Sequence, residues 1–84
     1  MRKAPDNNMV RGKPDPALGA AIKRAREDAG LNQAQLAVHA GLAVGTLTKL
    51  EAGKTDPSWS SVRALASALN LTLVQLGRMT EAGD

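Results

Sequence analysis

Eighty-four residues leave room for one small domain and one core, without a separate ligand-sensing domain. Ala and Leu dominate the apolar content, Trp59 is the one aromatic residue, and cysteine is absent. That composition excludes a disulfide framework and a thiolate metal site, and suits a reducing cytoplasm. No apolar run is long enough to span a bilayer, and residues 1–14 lack the apolar segment of a secretion signal, so no membrane partner is expected and the expected location is cytoplasmic.

The net charge of +3 is unevenly spread. Arg2, Lys3, Arg11 and Lys13 stand against Asp6 alone in residues 1–14, whereas the remainder holds seven basic and seven acidic side chains. Pro5, Asn7, Asn8, Gly12 and Pro14 deny the first stretch a helical period, so 1–14 reads as a flexible basic arm. Such an arm on a neutral body is suited to following nucleic-acid phosphates. A solubilising leader, or a start at Met9, is the competing reading.

The folded region is expected over 15–79. Asp15-Pro16 supplies an N-cap followed by the residue best tolerated at the first helical position. Leu18, Ala21, Ile22, Ala25 and Ala29 then share one face, and Gly30 ends this first helix. Asn32 caps a second helix, with Gln35 three residues on to complete a capping box. Its inward face is Leu36, Ala37 and Ala40, and Gly41-Leu42 makes the bend into a third helix, roughly Val44 to Ala52. The third helix starts poorly, because Ala43 has no acceptor and Gly45 costs about 1 kcal/mol relative to Ala. Leu47, Leu50 and Thr46 are expected to face the core, leaving Val44, Gly45, Thr48, Lys49 and Ala52 outward. Two short helices on so tight a connection cross steeply, so 33–52 has helix-turn-helix geometry. Ser58 caps a fourth helix bearing Val62, Leu65, Ala66 and Leu69, and Asn70 ends it. Thr72 with Gln75 opens a short fifth helix to about Met79, leaving 80–84 frayed.

The order Gly30-Leu31-Asn32-Gln33, Leu36-Ala37, Gly41-Leu42, Thr46-Leu47, Leu50-Glu51-Ala52-Gly53-Lys54, Pro57 and Leu65-Ala66-Ala68-Leu69 resembles the λ repressor-like family of phage repressor, Cro and XRE-type DNA-binding domains. The resemblance covers about Leu18 to Leu76. It implies an all-α fold, a compact bundle of about five short helices whose third enters the major groove. It assigns base-edge contacts to Val44, Gly45, Thr48 and Lys49, and a phosphate or outer-base contact to Gln33. Val44 suits a thymine methyl, Gly45 offers only backbone, and Lys49 suits guanine or a phosphate. Lys54, Thr55 and Ser58, near the start of the fourth helix, are phosphate candidates. The resemblance also pairs Arg26 with Glu51 as a largely buried ion pair that fixes the first helix on the third, a role suited to the planar guanidinium fork.

Other residues point to no chemistry. His39 is the one histidine and lies off the apolar face, without a carboxylate or cysteine spaced to partner it. Ser58, Ser60 and Ser61 have no attendant acid–base pair, and Trp59 suits packing or a dimer contact. No cofactor and no catalytic site are expected. The expected function is that of a sequence-directed double-stranded DNA-binding transcriptional regulator, a repressor acting by occlusion as a homodimer. The alternatives are an antitoxin-type protein that neutralises a partner toxin and regulates its own operon, and a protein-interaction module.

Overall fold

In the computed structural model, described here over residues 15–82, the chain order is α1 (Pro16–Asp28), α2 (Gln33–Ala40), α3 (Val44–Glu51), α4 (Trp59–Ala68) and α5 (Leu73–Ala82). Local chemistry sets the starts. The Asp15 side chain accepts from the Leu18 amide at 3.1 Å, with Pro16 in the first turn. Asn32 and Gln35 form a reciprocal capping box, as do Thr72 and Gln75. Ser58 accepts from the Ser61 amide. Only α3 starts on a residue with no side-chain cap, Ala43, so tertiary packing must hold it.

The first four helices share one ending. In each, a left-handed residue (Gly30, Gly41, Gly53 or Asn70) sends its amide back to the third carbonyl before it, and the next residue reaches the fifth. This is the Schellman turn, which satisfies carbonyls the helix leaves open. In three of the four the following residue is Leu (Leu31, Leu42, Leu71), and each of these packs against the core.

That core is Ala21 and Ile22 of α1, Leu36 and Ala37 of α2, Leu47 and Leu50 of α3, Val62, Leu65 and Ala66 of α4, and Leu76 of α5. α1 packs on α3 and α5, α2 on α3 and α4, and α4 on α5. Small residues let the helices approach closely. At Gly19, buried in α1, an added Cβ would collide with the Leu50 carbonyl oxygen of α3. Where α3 ends, a Cβ at Gly53 would stand 3.1 Å from the Cα of Pro16.

Two expectations change. Thr46 is exposed rather than turned to the core. At 100° per residue it lies about 70° from the centre of the narrow Leu47/Leu50 stripe, and its hydroxyl gains nothing from burial. The last helix continues to Ala82, past the end expected at Met79. Met79 packs on the core and so anchors the last turns, within which the Thr80 hydroxyl donates to the Gly77 carbonyl at 2.6 Å. Residues 83 and 84, and the whole arm with Arg2, Lys3, Arg11 and Lys13, lie outside the described residues.

Candidate nucleic-acid interface

Leu47 and Leu50 pin one side of α3 into the core. The opposite side therefore faces outward and bears Val44, Gly45, Thr48 and Lys49, all exposed. Val44 keeps 43% of its surface open, so its side chain is available for an apolar contact. A Cβ on Gly45 would meet nothing within 4 Å, so the first turn of α3 is a bare backbone surface.

Behind this face lies a chain of polar contacts. The Arg26 Nε donates to Glu51 Oε2 at 2.8 Å and Nη2 to Oε1 at 3.1 Å, a two-point grip on the carboxylate. A third bond runs from Nη1 to the Leu31 carbonyl at 2.8 Å. The two side chains are 11% and 3% exposed, so the pair is buried. Hydrogen bonding to Glu51 raises the Arg26 pKa above its already high ordinary value, against the opposing effect of burial. A raised pKa means the stabilising charge is complete at neutral pH and lost only far into alkali. One side chain thereby joins α1, the α1–α2 turn and α3.

Glu51 has a second donor. Gln33 Nε2, at the start of α2, reaches Oε1 at 3.0 Å. The Gln33 carbonyl oxygen in turn accepts from the Thr48 hydroxyl at 2.9 Å, and the Val44 carbonyl stands 3.0 Å from the same hydroxyl. The Gln33 amide group thus bridges Glu51 and Thr48 rather than projecting freely from the surface. Among the phosphate candidates, the Lys54 amide is already bonded to the Lys49 carbonyl at 3.0 Å, which leaves its exposed side chain for a partner. The Ser58 hydroxyl is engaged in capping α4, and Thr55 is half-buried.

The structure therefore brings Gln33, Val44, Gly45, Thr48 and Lys49 to one side, with Arg26 and Glu51 beneath them. Sequence reasoning missed Gly19 and the bridging role of Gln33. The signal for Gly19 was present: a glycine inside the α1 period costs helix stability, and close backbone approach is a reason to keep it. His39 is exposed, and no group of three or more His, Cys, Asp or Glu that could hold a metal ion occurs among the described residues. Trp59 is 63% exposed at the start of α4, beside a groove of about 430 Å³ floored by Leu18, Val62, Leu73 and Leu76.

This geometry can be set beside known proteins. The family profile described as "Helix-turn-helix domain" matches residues 17–79. The clp gene regulator ClgR from Corynebacterium glutamicum superposes with a TM-score of 0.78 at 26% identity, over 81% of this chain and 72% of that one. The restriction-modification controller protein C.AhdI from Aeromonas hydrophila gives 0.71 at 28% identity, over 73% of this chain and 92% of that one. The controller protein C.Esp1396I, seen as a tetramer in complex with its natural 35 base-pair operator, gives 0.75 at 19% identity over 80% and 88%, a likeness of fold. Comparison with curated proteins returned no match. With the profile running from α1 into α5 and the λ repressor-like arrangement of the helices, the chain belongs to the helix-turn-helix domain family of DNA-binding transcription regulators, which are not enzymes.

Proposed function

We propose that the chain reads a specific double-stranded DNA sequence through α3, acts as a homodimer, and represses transcription by occluding its site. The observation that carries this reading is the outward row Val44, Gly45, Thr48 and Lys49, tied through Thr48 to the start of α2 at Gln33. A face built this way offers a bare backbone turn, an apolar contact, a hydroxyl and a cation to the base edges, on a helix held rigid by a buried ion pair. ClgR and C.AhdI, named as a gene regulator and a controller protein, support regulation as the outcome of binding. The exposed apolar surfaces of Trp59 and Leu73, which line one groove, support self-association, since a lone domain seldom leaves such residues grouped in solvent.

Selection of bound fragments from random duplex DNA tests this. Convergence on an inverted repeat, with half-sites about 10 base pairs apart centre to centre, is the result expected of a dimeric reader. A pool that shows no enrichment after repeated rounds would remove sequence-directed DNA binding, and an enriched but unrepeated site would remove the dimer. Occlusion predicts that the recovered site, placed over a promoter, blocks transcription in a purified system when the chain is added.

A further inference from the structure

We infer that Thr48 meets DNA only as a hydrogen-bond acceptor, so the base it faces carries an exocyclic amino group in the major groove, adenine or cytosine. The inference rests on the reading of α3 as the DNA-facing helix proposed above.

Each hydrogen in the network has a fixed direction, set from Arg26 outward. A guanidinium only donates, so Arg26 fixes both Glu51 oxygens as acceptors. A carboxylate held this way only accepts, so the Gln33 side chain must turn its amide nitrogen toward Glu51, as it does at 3.0 Å. That leaves the Gln33 carbonyl oxygen toward Thr48, and an oxygen accepts. Thr48 must therefore donate its single hydroxyl hydrogen inward, to Gln33 at 2.9 Å or to the Val44 carbonyl at 3.0 Å. Both inward partners are acceptors, so neither choice returns the hydrogen to the outward face. What the exposed hydroxyl presents to a ligand is its remaining lone-pair density.

In the major groove the donors on base edges are the adenine N6 and cytosine N4 amino groups, whereas guanine O6, thymine O4 and the purine N7 atoms accept. An acceptor-only Thr48 pairs with the first set and sets lone pair against lone pair with the second. The Val44 carbonyl and the chain from Arg26 through Glu51 and Gln33 thus impose the same polarity at this position, the latter from a buried residue of α1 that faces no base.

The test uses the full chain, the duplex recovered by selection, and the variants Thr48→Val, of nearly the same shape, and Thr48→Ser, which keeps the hydroxyl. Amino groups are deleted from the duplex one at a time, with purine in place of adenine or 2-pyrimidinone in place of cytosine. At one position the native chain and Thr48→Ser should lose about threefold to tenfold in affinity. Thr48→Val should lose a similar factor on the unmodified duplex and nothing more on that modified one. Whether the effective substitution is purine or 2-pyrimidinone separates adenine from cytosine. If the loss in Thr48→Val is matched instead by deleting guanine O6, using 2-aminopurine, the polarity is reversed and the inference falls while α3 remains the reader. Equal affinity of the native chain and Thr48→Val on every duplex also overturns it. Failure to recover any preferred duplex overturns both this and the proposed function.

Discussion

Arg26 places its guanidinium among three acceptors, two from Glu51 and one from Leu31, in a setting that excludes most solvent. The value of such a pair lies less in its attraction than in the cost of breaking it, because the surviving partner is left buried and charged. Arg26→Ala and Glu51→Ala should each lower the free energy of unfolding by roughly 3–5 kcal/mol. Chemical denaturation of the two variants checks this, and shifts like those of exposed residues such as Arg24 would contradict it. Gly19→Ala belongs to the same scale. Its Cβ would meet the backbone of α3, which cannot rotate aside, so a cost of about 1–3 kcal/mol should outweigh the gain in helix propensity. A midpoint equal to or above that of the native chain would mean α1 and α3 slide apart freely. The pairing of Arg26 with Glu51 could be placed through family resemblance, whereas the inward turn of Gln33 could not. Its bond to Glu51 spans 18 residues of chain and depends on the carboxylate having an oxygen to offer, which no local pattern reveals.

At the scale of the helix, punctuation was the legible part. Asp15, Asn32, Ser58 and Thr72 announce starts, and Gly30, Gly41, Gly53 and Asn70 announce ends, because each solves a local hydrogen-bonding problem that is the same in any fold. What was not legible depended on partners far along the chain. Thr46 sits at the edge of a stripe whose width is set by the neighbouring helices, and the length of α5 is set by Met79 meeting the core. α3 is the helix with the least support of its own, uncapped at Ala43 and interrupted by Gly45. Gly45→Ala finds open space and should stabilise the fold by about 0.5–1 kcal/mol. If the bare turn is where DNA comes close to the backbone, the same variant should bind its duplex more weakly. Thermal unfolding and a binding titration on one preparation decide this: greater stability with undiminished affinity would take Gly45 out of the interface.

For the molecule as a whole, charge is the organising question. The body from Asp15 onward is balanced, and the excess resides in residues 1–14. If Arg2, Lys3, Arg11 and Lys13 neutralise phosphates, each adds about 0.9 to the slope of log affinity against log salt. Removing residues 1–13 should then lower that slope by up to about 3.6 while leaving the order of preference among duplexes unchanged, because α3 is untouched. Identical slopes would make the segment a leader, and the neutral domain would have to account for binding alone.

The central claim is that the outward row of α3 distinguishes one DNA sequence from another, and it is tested most directly by a ratio. The affinity of the full chain for its selected duplex is divided by its affinity for a shuffled duplex of the same composition, and the measurement is repeated with Lys49→Ala. Lys49 is exposed and outside the core, so its loss should leave the fold intact. If Lys49 reads a base, the ratio should fall by the equivalent of about 1–3 kcal/mol. A ratio unchanged by Lys49→Ala, at whatever absolute affinity, would contradict the account at this residue, and a ratio of one for the native chain would contradict it altogether.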